Sequence, residues 1–314
     1  MLSDILKEKR CFKLVCGAGN ENIQEIKNLV ALYSLAGCNF FDLCAKKEVI
    51  CAAKEGLKIS GIEKDRYLCI SVGIKGDPHL DKAYINQNCI RCNKCESICP
   101  QKAINNYYIS QIKCIGCARC KSICPHEAIE IHSNAKNLNE ILPPILNLGI
   151  DCIEFHAISD NEEEIFEKWN YINSIYDGML SICIDRLKLS NQALINRLNK
   201  MLSIRKPYTT IIQADGAPMS GGKDDFKTTL QAVATAELVQ NQNLDTYLFL
   251  SGGTNSKTPT LAKMCDINYN GISIGSFARK IVKEYIERED FIDNKKIFNK
   301  ALNIAKDLVN LCLS

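Results

Sequence analysis

Charge of one sign is missing from this chain. Its 314 residues carry 39 basic and 36 acidic side chains, a formal net charge of +3. No global field therefore argues for nucleic acid or a membrane surface. Long apolar runs are missing too, and nothing approaches the roughly 20 residues of a membrane-spanning helix. The opening residues lack the apolar core of a secretory signal, which leads to an expectation of a cytoplasmic protein. Compositional bias is absent: 46% hydrophobic and 24% charged residues exclude disordered, collagenous and low-complexity classes. No P-loop, no H-E-x-x-H and no Ser/His/Asp order occurs.

Cysteine, by contrast, is plentiful, with 18 residues. Without a secretory signal these point to a reducing compartment, where thiols serve metals or catalysis rather than disulfides. Ten are scattered, mostly in apolar runs: Cys11, Cys16, Cys38, Cys44, Cys51, Cys69, Cys152, Cys183, Cys265 and Cys312. Most of these read as small buried hydrophobes.

The other eight form a duplication. Cys89, Cys92, Cys95 and Cys99, followed by Pro100, recur 25 residues on as Cys114, Cys117, Cys120 and Cys124, followed by Pro125. Each copy is the C-x2-C-x2-C-x3-C-P pattern of bacterial two-cluster ferredoxins, in which the fourth cysteine ligates the other cluster. The spacing thus assigns cluster I to Cys89, Cys92, Cys95 and Cys124, and cluster II to Cys99, Cys114, Cys117 and Cys120, both as [4Fe–4S]. Zinc ribbons pair two cysteines per knuckle and lack the trailing C-P. The pairs Ala103-Ile104 and Ala128-Ile129 are expected to close an apolar shell over the clusters. Between residues 85 and 131 lie six basic side chains (Arg91, Lys94, Lys102, Lys113, Arg119, Lys121) against three acidic ones (Glu96, Glu127, Glu130). Such a surface either steers an acidic electron partner or is an ordinary solvated face.

Outside the repeat, short apolar runs alternate with helix-period segments. Strands are expected at 12–16, 40–44, 67–72, 151–156, 178–184, 208–214, 246–250 and 271–274. Helices are expected at 21–35, 46–56, 137–148, 162–176, 191–203, 224–241, 258–264 and 276–288, with a final one at 294–313. Pro143 and Pro144 should break or restart the third of these. Eight alternating units imply a parallel sheet closed as a (β/α)8-like barrel, with an inserted two-cluster ferredoxin-like α+β domain. A doubly wound sheet would want G-x-G-x-x-G after the first strand, and only Gly17-Ala18-Gly19 is present. The expected domains are 10–78 with 134–288 for the barrel, 79–133 for the insert and 289–314 for a C-terminal helix.

The insert would then lie in the loop after the third strand, on the face where barrels place their sites. Two more loops on that face are glycine-rich: Ser251, Gly252, Gly253 and Thr254, then Gly275 and Ser276. In many barrels these loops hold a phosphate, so they are candidate contacts for FMN or another phosphate-bearing ligand. They could equally serve only to turn the chain. Polar residues gather at the expected strand ends: Asp42, Glu154, His156, Asp185, Arg186, Gln213 and Asp215. His156 and Asp215 are the candidates for proton work, although such residues often only satisfy the rim.

Lys13 to Gly19, Leu35 to Ala45, the double cysteine repeat, Gln213 to Gly221 and Ser251 to Asn255 together resemble the cyanobacterial light-dependent period protein family. The resemblance spans nearly the whole chain. It implies a soluble iron–sulfur protein of photosynthetic cells that relays redox state, and so light intensity, to the circadian clock. It also implies partners such as a KaiA-type clock component and sensor histidine kinases, while the clusters themselves lead to an expectation of an electron carrier or quinone as partner. It supplies no catalytic residues for the barrel, so a redox-sensing regulator is favoured over an enzyme. The alternative is an oxidoreductase whose clusters feed electrons to a flavin in the barrel.

Overall fold

Eight parallel strands close into a barrel in the computed structural model, which describes every residue except 18, 75–80, 134–136, 185, 187–188, 217–222 and 314. In chain order the strands are β1 (Cys11–Val15), β2 (Phe40–Cys44), β3 (Tyr67–Val72), β4 (Asp81–Ile85), β5 (Ile104–Asn105), β6 (Tyr108–Ile109), β7 (Ile129–Ser133), β8 (Cys152–His156), β9 (Met179–Ile184), β10 (Thr210–Asp215), β11 (Tyr247–Ser251) and β12 (Gly271–Ile274). The helices are α1 (Leu2–Lys7), α2 (Ile23–Leu35), α3 (Lys47–Ser60), α4 (Lys94–Ile98), α5 (Arg119–Ile123), α6 (Leu138–Leu146), α7 (Glu162–Ile175), α8 (Asn191–Leu202), α9 (Phe226–Gln240), α10 (Thr258–Met264), α11 (Ser276–Ile286) and α12 (Lys295–Leu313). Around the barrel, β1, β2, β3, β8, β9, β10, β11 and β12 follow one another, and β12 closes on β1. The expected (β/α)8 barrel is borne out.

Alternation along each strand builds the core. The outward residues, such as Phe12 and Leu14 on β1 or Ile153 and Phe155 on β8, are buried beneath the helices. Trp169 of α7 stacks on Phe155 at 6.1 Å and donates its indole N–H to Met201 O at 2.8 Å. Helices start where the sequence offers a cap: the side chains of Asn22, Asn161, Ser190 and Asp225 each accept the backbone N–H three residues on. α12 joins the same apolar cluster as α2 and α11.

Two findings depart from the expectations. The expected barrel domain starts at residue 10, but α1 precedes it and places Leu2 and Leu6 against Cys11, Phe40, Cys69, Cys152, Ile211, Tyr247 and Phe249. It thereby plugs the N-terminal end of the barrel. Pro143 and Pro144 do not break α6. Both are exposed, so the carbonyls they leave unbonded face water, while Leu138, Leu142 and Ile145 hold the helix on the core. The cysteine repeat lies between β3 and α6, where β4 pairs antiparallel with β7 and β5 with β6. The expected domain boundaries at 78/79 and 133/134 fall at residues 75–80 and 134–136, outside the described residues.

Candidate functional site

The duplication is structural as well as textual. Left-handed backbone recurs at the 25-residue offset: Arg91 with Gly116, Asn93 with Ala118, and Lys102 with Glu127. Asn93 and Ala118 each precede a five-residue helix, α4 and α5. Cys99 and Cys124 end those helices in extended conformation. Four residues on, the backbone N–H of Ala103 donates to Cys99 Sγ at 3.2 Å, and that of Ala128 to Cys124 Sγ at 3.3 Å. The N–H of Ala83 donates to Cys114 Sγ at 3.4 Å.

These turns gather the eight cysteines around two cavities. One is lined by Cys99, Cys114, Cys117 and Cys120 together with Ala103, Ile104 and Ile109. The other is lined by Cys89, Cys92, Cys95 and Cys124 with Ala128 and Ile129. The fourth cysteine of each copy thus lines the cavity of the other copy. Four sulfurs, an apolar lining and amide donors aimed at sulfur suit an iron–sulfur cluster. Burial pushes the Cys120 thiol up to about 11, against the backbone N–H of Lys121, and it also raises Cys95. Without a metal those sulfurs would hold their protons.

Lys82, which sequence reasoning missed, pins this insert to the barrel. Its buried ammonium donates to Cys114 O at 2.7 Å, Gln111 O at 2.9 Å and Gly19 O at 3.1 Å. Glu21 lies 3.8 Å away and pairs with Lys46 at 2.5 Å. Gly19 and Glu21 belong to the loop after β1, and Lys46 to the loop after β2. The insert therefore stands on the C-terminal rim of the barrel.

Beneath that rim the lumen turns polar. Inward residues run from Cys11 to Lys13 on β1, Phe40 to Asp42 on β2, Cys69 to Ser71 on β3 and Cys152 to Glu154 and His156 on β8. They run from Ser181 to Cys183 on β9, Ile211 to Gln213 and Asp215 on β10, and Tyr247 and Phe249 to Ser251 on β11. Lys13, fully buried, donates to Glu154 Oε2 and lies 4.0 Å from Asp42. Ser71 Oγ donates to Asp42 Oδ1 at 2.6 Å, and His156 Nε2 is 3.2 Å from Glu154 Oε1. The Cys183 thiol donates to Asp215 Oδ2. Gln213 Nε2 donates to Ser181 Oγ at 3.3 Å and its Oε1 accepts from Ser273 Oγ at 2.6 Å.

Electrostatics follows from these contacts. Burial disfavours charge on Lys13, yet Asp42, Cys69 and Glu154 outweigh it and hold the ammonium well above its usual range. Burial works against Glu154 too, but Lys13 and His156 bring it down to about 2. Asp42 is pushed up to about 6 by burial, with Lys13 opposing. Asp215 is pushed up to about 7 by burial, against hydrogen bonds from Cys183 and Ser251.

Five of the expected strand-end residues therefore meet in the lumen: Asp42, Glu154, His156, Gln213 and Asp215. Arg186 does not, since its Nε donates to exposed Asn191 at 3.1 Å. Asp185 lies outside the described residues, as do 217–222 of the glycine-rich run. The expected phosphate loops end β11 and begin α11. Gly252 and Gly253 are left-handed, and Gly252 packs directly on Gly216. Thr254 Oγ1 donates to Ser273 O. Gly275 precedes α11, and Ser276 is its first residue. Of the scattered cysteines, Cys51 and Cys265 are exposed and Cys44 half-buried, while the other seven are buried as expected.

Residues 144–311 match the model of the Light dependent period A C-terminal domain, more than half of the chain. The chain belongs to the light-dependent period A family. The resemblance carried by the glycine-rich turns and the cysteine repeat is thus borne out. Residues 87–135 match the LdpA Fe-S cluster-binding domain, so this family member carries an iron–sulfur-binding domain in the insert. Light dependent period A of Synechococcus elongatus is 29% identical over 303 residues, which cover 90% of this chain and 84% of that protein. Among solved structures, a truncated 3-deoxy-D-arabino-heptulosonate 7-phosphate synthase from Thermotoga maritima is similar at 10% identity and TM-score 0.49, covering 96% of this chain and 85% of that one. A dihydrodipicolinate synthase from Oceanobacillus iheyensis is similar at 10% identity and TM-score 0.47, covering 98% and 81%. Among the described residues no helix is long and apolar enough to cross a membrane.

Sequence reasoning missed Lys13, Ser71, Ser181, Cys183 and Ser273 in the lumen of this family member. Lys13 left a signal: a lysine in the middle of an apolar strand must face either solvent or a counter-charge. Cys183 left none, because it reads as one more buried thiol.

Proposed function

We propose that this chain is a redox-sensing regulator that carries two [4Fe–4S] clusters and relays light-dependent redox state to the circadian clock. The observation that carries this reading is the crossed lining of the two cavities, each by three cysteines of one copy and the fourth of the other. Residues 79–133 are taken as the cluster module, with Cys89, Cys92, Cys95 and Cys124 at one cluster and Cys99, Cys114, Cys117 and Cys120 at the other. When bound, each cluster supplies one-electron redox chemistry. Around them Arg91, Lys94, Lys102, Lys113, Arg119 and Lys121 are all exposed, as are Ile90, Tyr108 and Ile112. A basic surface with apolar footholds suits transient docking of an acidic electron carrier. A KaiA-type clock component and sensor kinases are the proposed downstream partners.

The crossed ligation makes a distinctive test. In anoxically reconstituted protein, Cys99→Ser is expected to remove the same paramagnetic signal as Cys117→Ser, and Cys124→Ser the same one as Cys92→Ser. Iron and sulfide should total about eight each per chain in the wild type, and cells carrying Cys92→Ser or Cys117→Ser should lose the light dependence of their clock period. Four or fewer irons per chain, or an unchanged light response, would overturn the reading.

A second reading, an oxidoreductase holding a flavin or another phosphate-bearing cofactor in the barrel, is favoured by one observation. Arg279, in the first turn of α11, has a buried Nε with no hydrogen-bond partner among the described residues, and its guanidinium would lie 3.6 Å from a side chain at Gly17. Together with Ser251, Gly252, Gly253, Thr254, Gly275 and Ser276 it could receive an anion. Flavin uptake on reconstitution, lost in Arg279→Gln, decides for it. No uptake decides against it.

A further inference from the structure

We propose that the barrel lumen binds one divalent metal ion of the zinc or ferrous class, held by Glu154, His156, Cys183 and Asp215 and separate from the cysteine-lined cavities. Glu154 and His156 are two apart on β8 and both face inward. His156 stands in register with Cys183 on β9, and Asp215 comes from β10, the next strand. Two adjacent strands therefore bring three donors together, and the third places Asp215 against one of them, Cys183. One donor atom each of Glu154, His156 and Cys183 lies within 4.8 Å of the others. His156 Nε2 is 3.2 Å from Glu154 Oε1, and Cys183 Sγ touches Asp215 Oδ2. Ligands bonded at about 2.0 to 2.3 Å around a tetrahedral ion sit roughly 3 to 4 Å apart, and the 3.2 Å between His156 Nε2 and Glu154 Oε1 falls in that range.

The donor set narrows the ion. One imidazole, one thiol and two carboxylates form a borderline mixture that favours zinc or ferrous iron over magnesium or calcium, which take oxygen. All four residues are buried, with no more than 3% exposed.

A neighbouring group provides an internal contrast. Asp42, Cys69 and Glu154 also bring three donors together, on the other side of Glu154. That side already holds a cation, the ammonium of Lys13, which donates to Glu154 Oε2 and sits 4.0 Å from Asp42. Among the described residues no lysine or arginine contacts Cys183 or Asp215. Lys13 thus neutralises one half of the lumen, and a metal would neutralise the other. The surroundings orient the donors as an outer shell should: Ser181 donates to Glu154, and Ser251 to Asp215. The site lies in the C-terminal half of the barrel, where the inward layer departs from the branched apolar side chains that fill such a core.

The test uses the full chain with its iron–sulfur content reconstituted and assayed, then loaded with Co²⁺ or Zn²⁺ alone and desalted. One equivalent beyond the iron is expected, and the cobalt form should show a thiolate-to-cobalt charge-transfer band. Cys183→Ser should abolish the band, and His156→Ala should weaken zinc binding by at least about a hundredfold, both with iron and sulfide unchanged. Asp215→Asn, close to isosteric, should weaken zinc binding as well and serves if Cys183→Ser does not fold. No equivalent bound beyond the iron overturns the proposal, as does the same band and affinity in a folded Cys183→Ser or Asp215→Asn protein. The iron and sulfide assay reports separately on the clusters, so failure there is distinguishable from failure here.

Discussion

A lysine without access to water has to find its counter-charges inside the protein, and Lys13 finds Glu154 and Asp42. The two carboxylates then part company. Glu154, in direct contact with the ammonium and within reach of His156, stays ionised and is held near 2. Its contribution is complete above its unfolded value of 4.5 and is lost as pH falls from there towards about 2. Asp42 goes the other way: burial carries it up to about 6 from 3.8. The folded chain therefore keeps a proton that the unfolded chain gives up, and stability declines as pH rises from about 4 to about 6, by on the order of 3 kcal/mol. Asp42→Asn, neutral throughout, is expected to make that decline shallower, leaving the part due to Asp215, while keeping a group beside Ser71. Thermal melts of both proteins between about pH 4.5 and 6.5 check this. Identical slopes would mean that Asp42 is ionised in the folded state.

For strands and helices, alternation made the barrel legible. Eight apolar runs, each followed by a helix-period segment, gave the right element order, and every expected strand overlaps an observed one. Inward and outward faces are harder to read in a parallel barrel, because both are buried. Lys13 therefore hides inside an apolar strand, Cys183 reads as one more buried thiol, and α1 is too short to show a period. Among the loops, the glycines after β11 and β12 attracted a ligand reading, whereas the structure gives one of them, Gly252, a packing role against Gly216 after β10. A Cβ on Gly216 would come 2.5 Å from Gly252 O and 2.9 Å from Ala232 N, and Gly252 is left-handed at φ +60°. Two backbones meet there with no room for a side chain. Gly216→Ala should therefore cost about 1 to 3 kcal/mol and lower the melting temperature by several degrees, with cluster content unchanged. An unaltered melt would show that the two loops can separate freely, which would remove the packing explanation of these glycines.

In the molecule as a whole, what matters is how two units with different chemistry are joined. The cysteine spacing foretold which sulfurs would share a cavity, since crossing is inherent in the duplicated pattern. Nothing in the spacing foretold Lys82, because its partners are backbone carbonyls, which every residue has. Its ammonium ties the Cys114 loop to the loop after β1, and Glu21 extends the contact to Lys46 after β2. A fixed positive charge beside one cavity stabilises added negative charge there and leaves the more distant cavity nearly unaffected. With clusters bound as proposed, Lys82→Met should make the potential of the Cys99, Cys114, Cys117 and Cys120 cluster more negative, on the order of tens of millivolts. The other cluster should stay within error. Lys82→Arg, which keeps the charge, should restore most of the difference. A redox titration followed by electron paramagnetic resonance resolves the two clusters. If both potentials move together in Lys82→Met, the substitution has disturbed the whole insert and Lys82 serves only as a structural pin. If only one moves and arginine restores it, the residue that anchors the insert to the barrel also sets the difference between its two redox centres, and a change of electron count at that cluster is felt directly at the barrel rim.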